Sequence, residues 1–459
     1  MNPVLIFVYF ICAALLAAYA FGTCILLILA LLPRKHLTAP PLSAYPSVVV
    51  QLPVYNEPAV AGRLIDAAAR LDYPRLLIQI LDDSTDSTAR ICAERAAYWS
   101  GCGVDIVHIR RETRQGFKAG ALAHGLALAP LDTLYAAIFD ADFVPAPDFL
   151  RRTIPFLHAD SGMGALQTRW THLNAHQNWL TRAQALALDA HFLIEQVGRA
   201  KGGLLTNFSG SGGVWRIAAV QDAGGWSDAT LTEDLDLSYR AQLRGWRIGY
   251  LPDVQVAGEI PASIGAYRIQ QQRWARGNTR CLIRLLPSLW TAPRLTLTQR
   301  FMGTLHLAQY VTAPLMIALL LLSPPLLLLD APLPALGWLG LFGLGALLTP
   351  LVAGGWRALP TYLTLVILGT GMAWNNARAV LGEVFGRRIA FERTPKGGLI
   401  EAAARLAGAE VLLSLYALIG VGIAALTAPP FATYLAVYAI GFAAVAGWSR
   451  ATTPTPESR

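Results

Sequence analysis

The sequence predicts an α/β domain inserted between transmembrane helices. Three observations carry that expectation: an apolar excess confined to the two ends of the chain, short apolar runs alternating with helical ones between them, and acidic motifs where the apolar runs stop. Hydrophobic residues make up 54% of the 459 residues and charged residues only 14%, against about 25% charged in an ordinary soluble domain. The length is too great for one core and enough for two regions. The expected organisation is a transmembrane helix at 1–33, a cytoplasmic domain at 45–260, Arg-rich interfacial helices at 261–300, a membrane region at 301–448 and a tail at 449–459.

Residues 1–33 contain no charged side chain, and about 20 apolar residues suffice to cross a bilayer. A signal peptide is the competing reading, but it wants a basic start and a shorter apolar core. Arg34, Lys35 and His36 follow directly and put that end in the cytoplasm by the positive-inside rule.

From Ser47 the pattern changes. SVVVQLPVY, LLIQILDD, VDIVHIR and LYAAIFDAD read as strands, with helices at 60–72 and TARICAERAAYW. Such alternation predicts a parallel α/β sheet, whose ligand lies beyond the carboxyl ends of the strands. Tyr55-Asn56-Glu57, Asp82-Asp83 and Asp140-Ala141-Asp142 fall at those ends.

Beyond Phe301 the apolar segments run roughly 301–329, 333–353, 358–382, 404–427 and 430–448. Arg387, Arg388, Arg393 and Lys396 should be cytoplasmic, so an even number of crossings should precede them. The glycine-rich segment 333–353 is therefore expected to be re-entrant or half-spanning, giving about five full spans.

The net charge is +8 and the pI about 9.4, and membrane rather than nucleic acid is the expected partner. Pro261 to Leu329 holds no acid but carries Arg268, Arg273, Arg276, Arg280, Arg284, Arg294 and Arg300, which suits anionic headgroups; a solvated linker is the alternative. The cysteines Cys12, Cys24, Cys92, Cys102 and Cys281 stand at no metal-ligand spacing and are assigned no function.

Asp140 and Asp142, two residues apart at a strand end, would share one side and repel each other. No basic residue adjoins them in sequence, so a divalent cation such as Mg²⁺ or Mn²⁺ is expected to bridge them to a diphosphate. A polar turn is the alternative. In Asp82-Asp83-Ser84-Thr85-Asp86 one acid could read a nucleotide, while Ser84, Thr85 and Ser87 suit a helix cap. Lys118 in GFKAGAL could bind phosphate or merely face solvent. A carboxylate of Thr232-Glu233-Asp234, before an amphipathic stretch, reads either as a helix-start cap or as a general base. Gln270, Arg273 and Trp274 form QxxRW; forked arginine donors hold diphosphates, and an indole offers a flat face to a sugar. An interfacial amphipathic helix is compatible with both.

With these motifs in order, the chain resembles the family 2 glycosyltransferases of the cellulose-synthase type, in particular the cellulose-synthase-like glucomannan 4-beta-mannosyltransferases. QLPVYNE, LDDSTD, GFKAGALAHG, IFDADFVPAPDFLRRTIPFL, GSGGVWRIAAVQDAGGW, TEDLDLSYRAQLRGW and YRIQQQRW carry the resemblance over residues 51–274. It implies a GT-A type nucleotide-sugar-binding domain. It also implies donor binding by Glu57, Asp83, Lys118, Asp140 and Arg273, metal binding by Asp140 and Asp142, catalysis by Asp234, and acceptor binding by Gln270 and Trp274. The reaction would invert the anomeric centre, taking glucose from UDP-glucose or mannose from GDP-mannose onto a β-linked polysaccharide. The enzyme would sit in the inner membrane of the cell, in contact with membrane lipids. A lipid glycosyltransferase making glucosyl diacylglycerol or glucosylceramide is the nearest rival, and a transporter or scaffold with an inactive domain the third reading. Cellulose synthases carry more helices before the catalytic domain and a cyclic-dinucleotide sensor after it; with neither in this sequence, no such regulation is expected. Phe391-Glu392-Arg393-Thr394-Pro395-Lys396 only loosely matches their gating loop.

Overall fold

A computed structural model describes residues 3–33, 38–329, 331, 333, 344–386 and 407–451. The basic cluster Arg34–His36, the loop holding Arg387, Arg388 and Phe391 to Lys396, and the end of the tail lie outside the described residues.

The central domain is a seven-stranded sheet. Strands β1 (Ser47–Val54), β2 (Leu76–Asp82), β3 (Ile106–Arg110), β4 (Thr133–Ile138), β5 (Met163–His172), β6 (Gly213–Arg216) and β7 (Arg247–Gly258) take the order β3-β2-β1-β4-β6-β5-β7. The first four pair in parallel, as expected, but β6 runs antiparallel to both β4 and β5. The sheet is therefore mixed. The cause is local: the chain enters β6 from a loop at the carboxyl end of β4, with Gly213 opposite Ile138, so it can only run back down.

Helices cover both faces. Around β1, α1 (Pro3–Leu31), α2 (Ala61–Ala69), α3 (Thr88–Gly101), α4 (Phe117–Ala127) and α5 (Phe149–Ala159) occur in chain order. Val48, Val50 and Leu52 bury one face of β1 against Leu64 and Ile65 of α2 and Phe149 and Ile154 of α5. Leu81 and Ile138 bury the other against Leu122 of α4. Burial on both sides explains the unbroken apolar runs of the parallel strands. Two buried amides interrupt them. Gln51 Nε2 donates to Gln79 Oε1 at 3.1 Å and to Leu122 O at 3.2 Å, and Gln79 Nε2 to Gly125 O at 2.9 Å. They pin α4 to the sheet and so fix its first turn.

Next come α6 (Trp179–Ala190), a π-helical turn (His191–Glu195), α7 (Gln196–Lys201), α8 (Ile217–Asp222) and α9 (Glu233–Leu243). Then follow α10 (Ile264–Thr291), α11 (Leu297–Leu307), α12 (Thr312–Leu328), α13 (Leu344–Gly354), α14 (Leu359–Gly371), α15 (Ala373–Val384), α16 (Ala407–Thr427) and α17 (Pro429–Ala451). Among the described residues, four helices are long and apolar enough to cross a membrane: Pro3–Leu31, Gln309–Leu328, Gly408–Thr427 and Pro429–Arg450. The pair Leu347–Gly354 and Trp356–Gly371 bends by 116°, the shape of a broken span or re-entrant loop; 334–343 lies outside the described residues. Two segments differ from expectation. The stretch 301–329 is split, α11 ending before the span begins. The stretch 358–382 breaks at Met372, because α15 carries polar groups that meet α10 instead of lipid: Gln272 Nε2 donates to Asn375 Oδ1 at 2.8 Å, and Arg276 faces Glu383 at 3.5 Å.

One ion pair ties α10 to two of the helices apolar enough to cross a membrane. Arg268 donates to Glu410 of α16, and also to Ser449 Oγ of α17 at 2.9 Å; Glu410 is wholly buried. Removing one partner strands a buried charge. Glu410→Ala is expected to cost about 3–5 kcal/mol, read as a lower melting temperature of the detergent-solubilised protein. Arg268→Met with Glu410→Leu should recover most of it, because apolar replacement of both partners is often neutral.

Candidate active site

The carboxyl ends of β1, β2 and β4 open into a cleft of about 1010 Å³ that runs to α10. Glu57, Asp83, Lys118, Asp140, Asp142, Asp234, Gln270, Arg273 and Trp274 all line it. Residues spread over more than 200 positions of sequence thus meet in one place.

The strand bearing the paired aspartates is shorter than expected. It ends at Ile138, so Asp140 and Asp142 occupy the turn that follows, and strand alternation does not set their directions. Asp140 N–H donates to Ser211 Oγ at 2.9 Å. The Asp140 carboxylate meets Lys118 Nζ at 2.6 Å. This corrects the expectation drawn from sequence neighbours: a basic residue does face Asp140, delivered by α4 from another strand crossover. Asp142 is almost wholly buried, and its Oδ2 accepts from Glu259 N–H at 3.2 Å. Glu259 in turn pairs with Arg63 at 2.7 Å. Glu57, Asp140, Asp142 and Glu259 give this stretch of the cleft a carboxylate-rich lining. Carboxylate oxygens are hard donors, of the kind that suit Mg²⁺ or Mn²⁺ rather than a soft metal.

Lys118 binds three ways, also reaching Glu233 at 3.4 Å and Gly210 O at 2.9 Å. Burial alone would depress its pKa, but Asp140, Glu233 and Asp234 outweigh that and hold it above the usual value.

Asp234 stands in the first turn of α9, and Thr232, not Asp234, occupies the N-cap. Asp234 Oδ1 accepts only from the next residue's N–H, Leu235, at 2.8 Å. Burial first, then the adjacent Glu233, pushes its pKa up to about 7, against the opposing pull of Lys118 and the Leu235 N–H. A carboxyl so raised is poised for proton transfer near neutrality. Gly210, at φ +82°, passes so close that a Cβ there would sit 2.8 Å from Asp234 Oδ2. Gly277 of α10 approaches Thr232 as tightly, with a Cβ falling 2.5 Å from Thr232 Cγ2. The backbone of the QxxRW helix is thus packed directly on Thr232, the residue that opens the Asp234 turn.

Sequence reasoning missed a pair of arginines. Arg111 Nε and Nη2 donate to the two oxygens of Asp83 at 2.9 and 2.5 Å. Arg114 lies over the Tyr55 ring, 3.4 Å from its centroid. The only signal was the basic run Arg110–Arg114 just after a strand. Beneath them, His108 Nε2 meets Asp82 Oδ2 at 2.9 Å and Ser84 N–H donates to Asp82 Oδ1 at 2.8 Å, so Asp82 shapes the turn while Asp83 faces the cleft. Cys92 lies within 4.8 Å of this pair. Burial, then Asp82, pushes its thiol up to about 12, which keeps it protonated and a poor metal ligand.

A family model described as "Glycosyltransferase like family 2" matches residues 46–277, just over half the chain. Glucomannan 4-beta-mannosyltransferase 1 of Oryza sativa subsp. japonica is 43% identical over 265 residues, which are 56% of this chain and 50% of that protein. Glucomannan 4-beta-mannosyltransferase 2 of Arabidopsis thaliana is 46% identical over 239 residues, 51% of this chain and 45% of that protein. The chain spans about half the length of the curated relatives it matches. Among solved structures, a mannosyltransferase from Pyrobaculum calidifontis in complex with GDP-Man and Mn²⁺ aligns over 83% of this chain and 100% of that chain, at a TM-score of 0.56 and 21% identity. That likeness concerns the fold, a GT-A type α/β domain.

Proposed function

The chain belongs to glycosyltransferase-like family 2, and on that premise we propose that it is a membrane-embedded, inverting β-glycosyltransferase extending a β-linked polysaccharide. The carrying observation is the single cleft that joins the Lys118–Asp140 pair, Asp234 and the QxxRW face. The names of the two plant relatives favour mannosyl transfer, hence GDP-mannose over UDP-glucose.

On this reading Asp83, with Arg111, and the Tyr55–Arg114 stack receive the nucleoside. Glu57, Lys118 and Arg273 face the donor diphosphate. Asp140 and Asp142 would hold a Mg²⁺ or Mn²⁺ ion, which when bound offsets the charge of the leaving diphosphate. Gln270 and Trp274 position the acceptor, the indole stacking on a sugar ring. Asp234 takes the proton from the acceptor hydroxyl as its oxygen bonds to the anomeric carbon. The bond from that carbon to the phosphate oxygen breaks on the opposite face, and the nucleoside diphosphate departs. One displacement inverts the centre and leaves a β-linkage. The apolar helices would fix the enzyme in the cell's inner membrane with the domain on the cytoplasmic side.

The test is product separation. Purified protein reconstituted in lipid is incubated with labelled GDP-mannose or UDP-glucose. Label in an ethanol-insoluble polymer cleaved by a β-mannanase or β-glucanase supports the proposal. Label only in the organic phase would mean a lipid glycosyltransferase, and none with either donor would sink the reading.

A further inference from the structure

The π-helical turn His191–Glu195 interrupts what would otherwise be one rod from α6 to α7. Its mark is the N–H of Gln196, which reaches back five residues to His191 O. Such insertions are rare and concentrate at functional sites. Here the turn sorts its side chains. Phe192 and Ile194 are buried, Phe192 packing 5.3 Å from the Trp170 ring. His191 and Glu195, which line the cleft, keep 25% and 27% of their side chains exposed. His191 Nδ1 lies 2.9 Å from Glu195 Oε2. With that nitrogen donating, His191 Nε2 and Glu195 Oε1 are left as acceptors on two residues of the cleft wall.

The sheet order says what they face. The turn packs on β5 and on α1, whereas Asp83 follows β2. Four strand spacings separate β2 from β5, about 19 Å. That is too far for the turn to share the nucleoside with Asp83. The cleft is also lined by Gln270, Trp274, His306 and Tyr310; His306 lies within electrostatic reach of His191, and the turn itself packs on α1, one of the helices that can cross a membrane.

We propose that His191 and Glu195 form an acceptor subsite, accepting hydrogen bonds from the hydroxyls of a carbohydrate chain on the membrane side of Asp234. The inference rests on the transferase reading above and adds residues to it. Hydroxyl pairs on neighbouring carbons of a pyranose are donors suited to a carboxylate, and hydrogen bonds to a charged group are the stronger kind.

The test uses the full chain in lipid, GDP-mannose as donor and a β-1,4-linked mannopentaose as the acceptor probe. Glu195→Gln keeps shape and removes charge. The acceptor KM is expected to rise about tenfold or more, with the dissociation constant for GDP measured by calorimetry within about twofold of wild type. Glu195→Asp should recover part of the loss. An unchanged acceptor KM, or a fall in kcat alone, overturns the subsite and makes the pair a staple of the turn. Should Glu195→Gln fail to fold, His191→Asn must raise the acceptor KM in the same way. A wild-type protein that transfers sugar from neither donor would instead overturn the transferase reading itself.

Discussion

Asp234→Asn should lower turnover by about 10²-fold or more while leaving nucleoside diphosphate binding near wild type. The substitution keeps the volume of the side chain and its ability to accept the Leu235 N–H, so whatever it contributes to the start of α9 survives. What disappears is the basicity. The pH dependence gives a second, independent readout. With its pKa pushed up to about 7, Asp234 is protonated in acid and unable to accept a proton. The value of kcat/KM, which reports the free enzyme, should therefore rise with pH through about 7 and level off above it. The asparagine variant should lack that limb. Stability should move the other way. A carboxyl whose folded pKa exceeds its unfolded value makes the native state bind the extra proton, so its contribution is lost as pH rises between about 4 and 7. The melting temperature of the wild type should fall across that window relative to the variant. Wild-type turnover in Asp234→Asn would reduce the residue to a structural element of α9.

How far this could be read from sequence depends on the range of the interaction concerned. Strands β1, β2 and β4 were legible because burial on both faces writes an apolar run, as in Val48–Leu52, and the edge strand β3 because its β-branched residues still alternate with polar ones. Strand β6 was not, because GVWR is four residues long and its direction is set by the loop that feeds it. Glu57, Asp83, Asp140 and Asp142 were legible because the ends of parallel strands must lie at one edge; Lys118, Asp234, Gln270, Arg273 and Trp274 sit on helices and were legible only as motifs whose roles the family resemblance implied. Their pairings were not. Lys118 reaches Asp140 only because the Gln51 and Gln79 amides, on two other strands, hold α4 in place. Arg111 reaches Asp83 across two strand ends. Glu410 was hidden in an apolar run, and nothing local signals that its partner Arg268 lies 142 positions earlier. The π turn is invisible for a related reason: LDAHFLIEQ reads as continuous helix, and what marks the turn is a backbone bond from Gln196 N–H to His191 O, which no residue pattern announces.

Removal of divalent metal is expected to abolish transfer, and restoring Mg²⁺ or Mn²⁺ to recover it. Lys118 makes this a sharper question than the sequence suggested. Its ammonium already offsets Asp140 at 2.6 Å, so one cation is built into the site. If that cation were enough for the donor diphosphate, activity would persist in excess EDTA. The charge balance argues against it. Asp140, Glu233 and Asp234 all act on the same ammonium, which leaves Lys118 little attraction to spare for a diphosphate that carries several charges of its own. Asp142, almost wholly buried with a backbone N–H on one oxygen, is the second carboxylate that a divalent ion would need. Asp142→Asn preserves that hydrogen bond and removes the charge. It should therefore cost about 10²-fold or more in turnover, the scale seen when an electrostatic stabiliser is removed. Calorimetry separates this from simple misfolding. In the wild type, GDP should bind more tightly with Mn²⁺ than with EDTA; in Asp142→Asn that difference should collapse, while the weaker, metal-free binding stays. Full activity in EDTA, or a metal effect on GDP binding that survives Asp142→Asn, would show that Lys118 does the neutralising and that the two aspartates serve only to orient it.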